Sequence, residues 1–555
     1  MHVAHAAYRF DMAVADSVAS CGQWLIGEFG TESVCYAIRM GNRCLLKRSI
    51  NLKGKGSSMT AVERSDVTTN DVGVARCDVC IVGAGAAGLN ALFAASQYLS
   101  RDQKIILIER RERVGGMWVD TYPYVRLHQP HGMFTAGNIK WTLTRDRSYL
   151  ASKGEVLYHL EHCLDVIKRR VTVEEYYGWH LESYVEAEGI IRVSCNSADG
   201  KRQVFEAKRL IKAFGFAIMP NPPLDTSSLH VRSVSPDFCD VRGDDVRASK
   251  TPVWIIGGGK TAMDTAHTLL TECPGREVNL VAGGGTFFHR REKFFPVGLR
   301  QWWGGQLTSS VAVQLARHFD GTNEAAVWKW HREKYGTWLT PETGNFLLAW
   351  LSESENKTIA AGLTEVVMDH FVDVVDRGGV TELLFRSGAR KPIPQGSWIV
   401  NCTGYLTEHS QPYEPYVSAS GAVVSVQLRS ATMHLTTAMG YFLTHLMFLD
   451  KLREIPLYEL DAYDLRTKSK KAYPYALLSL ANYNLGYIVD SVPSKVFRDC
   501  GIDFDRWYPL PRRLFGAARF MLMHRRERER LRRTLDTVRE RFDTRCGPLP
   551  HGVLR

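Results

Sequence analysis

Two glycine-rich stretches hold the residues best suited to chemistry: VCIVGAGAAGLN, residues 79–90, and PVWIIGGGKTAMD, residues 252–264. In the first, Gly83, Gly85 and Gly88 form G-x-G-x-x-G with Ala86 and Ala87, between a strand pattern and a helix pattern. The first glycine permits a tight turn and the second lets the backbone approach a pyrophosphate. The third lets helix and strand pack closely, with the phosphates on the helix N-terminus. Glu109 lies 21 positions beyond Gly88, directly after IILI, where a carboxylate accepts hydrogen bonds from an adenosine ribose. The second stretch repeats the device as G-x-G-x-x-A, with Gly257, Gly259, Lys260, Thr261 and Ala262. Two such loops in one chain imply two dinucleotides, placed so that a hydride can pass between their redox rings.

The strand pattern after the second loop, VNLV, ends at Ala282 instead of a carboxylate, so nothing there repels a 2′-phosphate. TFFHRREKFFP follows, with Arg290, Arg291 and Lys293, and guanidinium groups suit a phosphate dianion. The second nucleotide is therefore expected to be NADPH in preference to NADH, with Arg290 on the 2′-phosphate.

The elements that must position these residues are legible around them. CDVCIVGAG is a strand entering a turn, AAGLNALFAASQYL the following helix, and KIILIER the next strand, a βαβ unit. A second unit opens with PVWIIGGGKTAMDTAHTLL and closes with VNLVA. GSWIVNCTGY, residues 396–405, is an apolar strand ending in a Thr403-Gly404 turn. Residues 1–76 lack this pattern, and the polar NLKGKGSSMTAVERSDVTTNDVG marks them as a poorly ordered extension. The functional chain is expected to begin near Met59. The last hundred residues read as mainly helical, with tyrosine-rich loops.

After Glu109, RRERVGGMWVDTYPYVRLHQP places Gly115, Gly116 and Trp118 directly behind the ribose strand. Small residues there leave room for a ring system crossing the chain, and the indole can cover it. At this point the sequence resembles the class B flavoprotein monooxygenases, the flavin-containing and Baeyer–Villiger enzymes. The resemblance runs patchily over residues 77–405 and is strongest in the two loops and GGMW. VNCTGY is similar to the family's A-T-G segment, with Cys402 in the alanine place. The resemblance implies FAD on the first loop, with Arg110, Met117, His128, Gln129, Thr403 and Gly404 joining Gly116 and Trp118 among the cofactor contacts. It also implies a monooxygenase inserting one atom of O2 into a small organic substrate through a C4a-(hydro)peroxyflavin. HRRE loosely matches the family's Q-R-T-like segment, which makes Arg291 the catalytic candidate that stabilises peroxide charge; exchanging the roles of Arg290 and Arg291 is the alternative. The linker AFGFAIMPNPPLDTSSLHVRSVSPDFCD departs from the family's F-x-G-x-x-x-H-x-x-x-W/Y: the F-x-G part is missing, Arg232 falls near the histidine place, and His230 reads as a loop residue. This keeps an NADPH oxidase or electron-transfer reductase on the same fold as the alternative outcome. A non-catalytic nucleotide-binding docking module is the third reading.

Other classes are disfavoured. A thiol–disulfide reductase needs a cysteine pair that reaches the flavin; Cys77 and Cys80 fall on the first strand as core residues, and Cys239, Cys273 and Cys402 stand alone. No His/Cys cluster has metal-ligand spacing, so no metal is expected. No run of 18 apolar residues spans a membrane, no secretory leader is evident, and the scattered cysteines suit a reducing cytoplasm. The net charge of +11 owes much to residues 512–545, with twelve arginines and five acids. This run reads as a solvated, salt-bridged helix, with weak peripheral membrane contact as its alternative, helped by the apolar LFGAARFMLM; no nucleic-acid motif accompanies it. Trp302, Trp303, Trp328, Trp330, Trp338 and Trp350 mark an insertion that is either an aromatic cap over a substrate or a packing layer. His289 and His331 are the titratable groups nearest to it.

The expected fold is α/β. It has two dinucleotide-binding Rossmann-like domains, for FAD and NADPH, the second inserted in the first, and a helical C-terminal extension. The boundaries read as 77–248 for the first part of the FAD domain, 249–394 for the NADPH domain with insertion 298–352, 395–450 for the return, and 451–555 for the basic extension. The oligomeric state is not legible.

Overall fold

The last four residues of β1 (Val74–Val82) are apolar without alternation and fully buried, the pattern of a strand covered on both faces. The computed structural model describes residues 73–216, 218–404 and 411–549. It places β1 inside a sheet with β2 (Lys104–Glu109), β3 (Thr172–Tyr177), β4 (Trp179–Ala187), β5 (Ile190–Ser197) and β6 (Arg202–Gly215), in the order β3-β2-β1-β6-β5-β4. Strands β3, β2, β1 and β6 are parallel, while β4, β5 and β6 form an antiparallel meander. Val79, Ile81, Ile105 and Leu107 face the core containing the helices Ala86–Ala95 and Thr436–Phe448. Cys80, Val82, Ile106 and Ile108 face the other way, against Ile191, Val193 and Phe205 of the meander.

A second sheet follows, built from β7 (Arg232–Val234), β8 (Val253–Ile256) and β9 (Val278–Val281). The chain then forms β10 (Thr286–Arg290), β11 (Gly336–Trp338) and β12 (Asn345–Leu351), a separate three-stranded sheet ordered β11-β10-β12. β13 (Glu365–Val367) joins the second sheet; β14 (Phe371–Arg377), β15 (Val380–Phe385) and β16 (Arg390–Ile393) form an antiparallel sheet; β17 (Trp398–Asn401) completes the second sheet as β13-β9-β8-β17-β7, all parallel. β18 (Val423–Gln427) then pairs parallel with β6 in the first sheet. The chain therefore leaves the first sheet after β6 and returns to it at β18.

Three expectations shift. β17 was expected to begin the return to the first domain, yet it pairs with β7 and β8 of the second sheet. β7, expected in the first domain, is an edge strand of the second. Order begins at least by Val74, ahead of Cys77; the rest of the N-terminal extension, Met59 included, lies outside the described residues. The C-terminal region is helical, with helices Ala472–Ser491 and Leu510–Phe542 packed together. Most of its tyrosines, however, are not in loops: Tyr473, Tyr475, Tyr483 and Tyr487 lie on the first of these helices, and Tyr508 is in the bend before the second. The tryptophan insertion is mainly a packing layer. Trp328 is buried against Phe287 and Phe346, and Trp350 among His289, Phe294, Phe295 and Phe504, while Trp302 and Trp303 are exposed.

Candidate functional site

The first glycine loop joins β1 to the helix Ala86–Ala95. Gly83 turns with φ +107°, and a methyl built on it would press on the Ala213 carbonyl at 2.5 Å. Gly88 is closer still: a side chain there would overlap the Gly83 carbonyl. Gly85 caps the helix from an extended conformation, φ −82°. Gly116 lies across from it, and a methyl on Gly116 would stand 2.7 Å from the Gly85 Cα. The Gly115 N–H donates to the Ala84 carbonyl at 3.0 Å, so the GGMW segment is stitched to the loop. These glycines leave backbone where side chains would otherwise stand.

Around them opens a cleft of about 1160 Å³. Gly83, Gly85, Ala86, Ala87, Glu109 and Arg110 line one part, and Gly116, Met117 and Trp118 another. Gly88 lies beneath it. Glu109 is buried at the end of β2, its carboxylate accepting from the Ala84 N–H at 2.7 Å and the Arg111 N–H at 3.0 Å. Among the described residues, the buried Trp118 indole N–H has no hydrogen-bond partner. A glycine cradle, a carboxylate at the ribose position and an unpaired buried donor fit a flavin dinucleotide. Sequence reasoning missed several lining residues: Trp179, His180 and Leu181 from β4, Phe214 and Gly215 from β6, and Thr436 and Thr437 from the start of the helix Thr436–Phe448. That helix crosses Ala86–Ala95 so closely at Gly440 that a side chain there would strike the Ala87 carbonyl. The available signal was TTAMGYF, hydroxyl residues opening an apolar helix with an internal glycine.

The second loop differs. Gly257 turns with φ +128° under the Cys402 carbonyl, and a methyl on Gly258 would lie 2.6 Å from the Ala282 carbonyl. Gly259 caps the helix Lys260–Glu272. Gly257, Gly259, Lys260, Thr261 and Ala262 are all buried, whereas Gly83 and Gly85 are partly open. Thr403 and Gly404 sit beside this second loop: the Thr403 hydroxyl donates to Asn401 Oδ1 at 2.6 Å, and Asn221 donates to the Thr403 carbonyl at 2.9 Å. Lys260 pairs with Asp264, which also accepts from the Tyr122 hydroxyl at 2.8 Å.

Arg290 and Arg291 diverge. Arg290 is partly exposed and pairs with Glu353 at 3.1 Å. Arg291 is largely buried, forks onto both Glu355 oxygens at 3.2 and 2.9 Å, and donates to the His128 carbonyl at 2.9 Å. Burial pushes the Glu355 carboxyl up, but Arg291, Lys260 and the Ser352 N–H together hold it down at about 2. Arg291, Glu355, Lys260 and Tyr124 line a second cleft, of about 920 Å³. His128 and Gln129 do not line the first cleft. His128 Nδ1 accepts from the Trp350 N–H at 3.0 Å, and the buried Gln129 amide has no hydrogen-bond partner among the described residues.

His289 and His331 form a buried pair, Nε2 to Nε2 at 2.8 Å, walled by Phe287, Phe294 and Phe346. Burial pushes His289 down to about 3, and burial with the neighbouring His289 pushes His331 well below its ordinary value. Below pH about 6.5 the unfolded chain takes up protons that the folded pair refuses, so stability is full above that pH and falls as the solution is acidified. Urea midpoints measured from pH 8 down to 5 should drop steeply below about 6.5, and His331→Phe should flatten that drop. An unchanged profile in the variant would show that this pair does not set acid stability.

Residues 77–304, less than half of the chain, match the family described as pyridine nucleotide-disulphide oxidoreductase. Residues 77–304 are thus similar to this oxidoreductase family, and the resemblance to flavin-dependent monooxygenases holds. Over 207 residues it is 26% identical to "Putative FAD-containing monooxygenase MymA" of Mycobacterium tuberculosis, covering 36% of this chain and 40% of that protein. The chain therefore spans about two fifths of the length of the curated relatives it matches. Among solved structures, cyclohexanone monooxygenase from Rhodococcus sp. Phi1 bound to NADP+ is 13% identical, with a TM-score of 0.46 over 76% of this chain and 98% of that one. Bacillithiol disulfide reductase from Staphylococcus aureus is 11% identical, with a TM-score of 0.43 over 68% and 99%. In this chain no described cysteine forms a disulfide, and burial pushes the Cys77 thiol on β1 up to about 12.

Proposed function

We propose that this protein is an FAD-dependent, NADPH-oxidising monooxygenase built on two dinucleotide-binding domains, the second inserted in the first. The cleft over Gly83, Gly85 and Gly116, with Glu109 at its ribose end and the unpaired Trp118 N–H within it, carries the reading. FAD held there would accept a hydride from NADPH and activate O2, so that one oxygen atom enters a small organic substrate. The chain's own part is to cradle the pyrophosphate on the first helix and to orient the ribose through Glu109. Trp118 shields the ring region from water. The second nucleotide would rest on the buried Gly257–Gly259 loop, so its entry requires the covering segment to move. Arg290, the more open of the two arginines, suits the 2′-phosphate; Arg291 lines the second cleft, and developing negative charge directed there would meet it. Described cysteines outside any disulfide support a reducing, cytoplasmic setting, and no described helix is long and apolar enough to cross a membrane.

The test is to purify the protein, record its visible spectrum and titrate it anaerobically with each nicotinamide. A yellow protein bleached at lower concentration by NADPH than by NADH is expected. Arg290→Ala should weaken NADPH about 10-fold and leave NADH within about 2-fold, the loss of one charge-assisted phosphate contact. Equal weakening of both would remove the phosphate assignment. In air, oxygenated product without matching hydrogen peroxide supports the monooxygenase; stoichiometric peroxide would make it an NADPH oxidase.

A further inference from the structure

Apart from Leu229, which is 93% exposed, the apolar side chains most exposed to solvent are not scattered. Trp303, Phe515 and Leu522 are 72%, 73% and 74% exposed, and Leu299, Trp302 and Leu510 join them. They come from two segments, residues 297–303 and the first turns of the helix Leu510–Phe542, that are bound to each other. Arg512 donates to the Gln301 carbonyl at 2.9 Å and to the Gly304 carbonyl at 2.5 Å. Trp507 donates to the Pro296 carbonyl at 2.6 Å, and Gly516 packs on Leu307. Phe515 and Leu522 are seven positions apart, hence on one helix face, with Arg519 between them.

Along these two segments the charge has one sign. Residues 293–319 and 506–526 contain no aspartate or glutamate. Arg300, Arg519 and Arg526 are exposed and have no carboxylate partner among the described residues. The later arginines of the same helix are different: Arg528 pairs with Asp490, Arg530 with Glu527, Arg532 with Glu529 and Asp536, and Arg539 with Asp536. The basic run that dominates the sequence is thus largely neutralised by its own acids, and the unpaired cations gather at the apolar end.

We propose that this face docks on an anionic lipid bilayer. Indole rings favour the boundary between headgroups and acyl chains, Phe and Leu enter the apolar layer beneath, and arginines meet the lipid phosphates. A second copy of the chain would have to set these cations against each other. The seat places the protein on the membrane surface without a spanning segment.

Flotation of the full-length protein with phosphatidylcholine vesicles, with and without phosphatidylglycerol, tests this. Binding is expected to the anionic vesicles and to be much weaker without phosphatidylglycerol. Trp302→Ser with Trp303→Ser, and separately Phe515→Ser with Leu522→Ser, should each lower anionic-vesicle affinity at least about 10-fold. Arg300→Glu, Arg519→Glu and Arg526→Glu together should abolish the preference for anionic lipid. All seven positions are exposed, so melting temperatures should match the parent's and separate lost docking from lost fold. A parent that stays with the aqueous phase, or variants that float like the parent, would overturn the proposal. So would a concentration-dependent dimer that these same substitutions dissolve.

Discussion

Gly85→Val should give a folded protein that purifies without flavin colour. Gly85 has an extended backbone that any residue adopts, so valine strains no torsion there. Its β-carbon would sit 3.3 Å from the Gly116 Cα, and its methyls would occupy the floor on which a pyrophosphate rests. A weakening of at least about 100-fold in FAD affinity, about 2.7 kcal/mol, is expected. The ratio of visible to ultraviolet absorbance and the melting temperature with added FAD read it out. Gly88→Val is the contrast: its side chain would overlap the Gly83 carbonyl between strand and helix, so it should fail to fold. A Gly85→Val protein with the parent's flavin content would remove the dinucleotide from this cleft.

Arg291→Ala should cost both stability and reaction, and the two losses are separable. The Arg291–Glu355 fork is largely buried, and deleting one partner of such a pair typically costs about 3–5 kcal/mol because the other charge is stranded. Its pH signature has a definite sign. In the parent, Glu355 is held at about 2, below an ordinary value of 4.5, so its contribution is present above pH about 4.5 and is lost as pH falls towards 2. Without Arg291, burial is opposed by less, the carboxyl rises, and mild acid should relieve part of the destabilisation. Arg291→Ala with Glu355→Gln should recover most of the stability in urea titrations. Product formation that recovers with it would reduce Arg291 to a structural role. Stability that returns while product stays low would leave the guanidinium beside the reacting charge.

The first cleft was legible because its parts are local. Turn glycines, the ribose carboxylate and GGMW all fall between residues 83 and 118, and each carries a steric or electrostatic reason visible in one short window. Thr436, Thr437 and β4 were not legible there, since they arrive by a helix crossing and a meander that no local pattern specifies. His128 and Gln129 look like a continuation of the flavin segment in sequence, but the chain has by then moved to meet Trp350 and Arg291. β17 misled for a related reason: four buried apolar residues fit either parallel sheet equally well, and only register with β7 and β8 decides. The tyrosines of Ala472–Ser491 read as loop residues because aromatic, β-favouring side chains mask a helix that tertiary burial stabilises.

The two glycine loops differ in exposure, and that difference separates a tenant from a visitor. On the proposed function, a dinucleotide would reach the open first cleft without disturbing the second loop. On the same reading, one bound at Gly257–Gly259, where the backbone of Cys402 and Thr403 lies against the loop, would enter only as that contact opens.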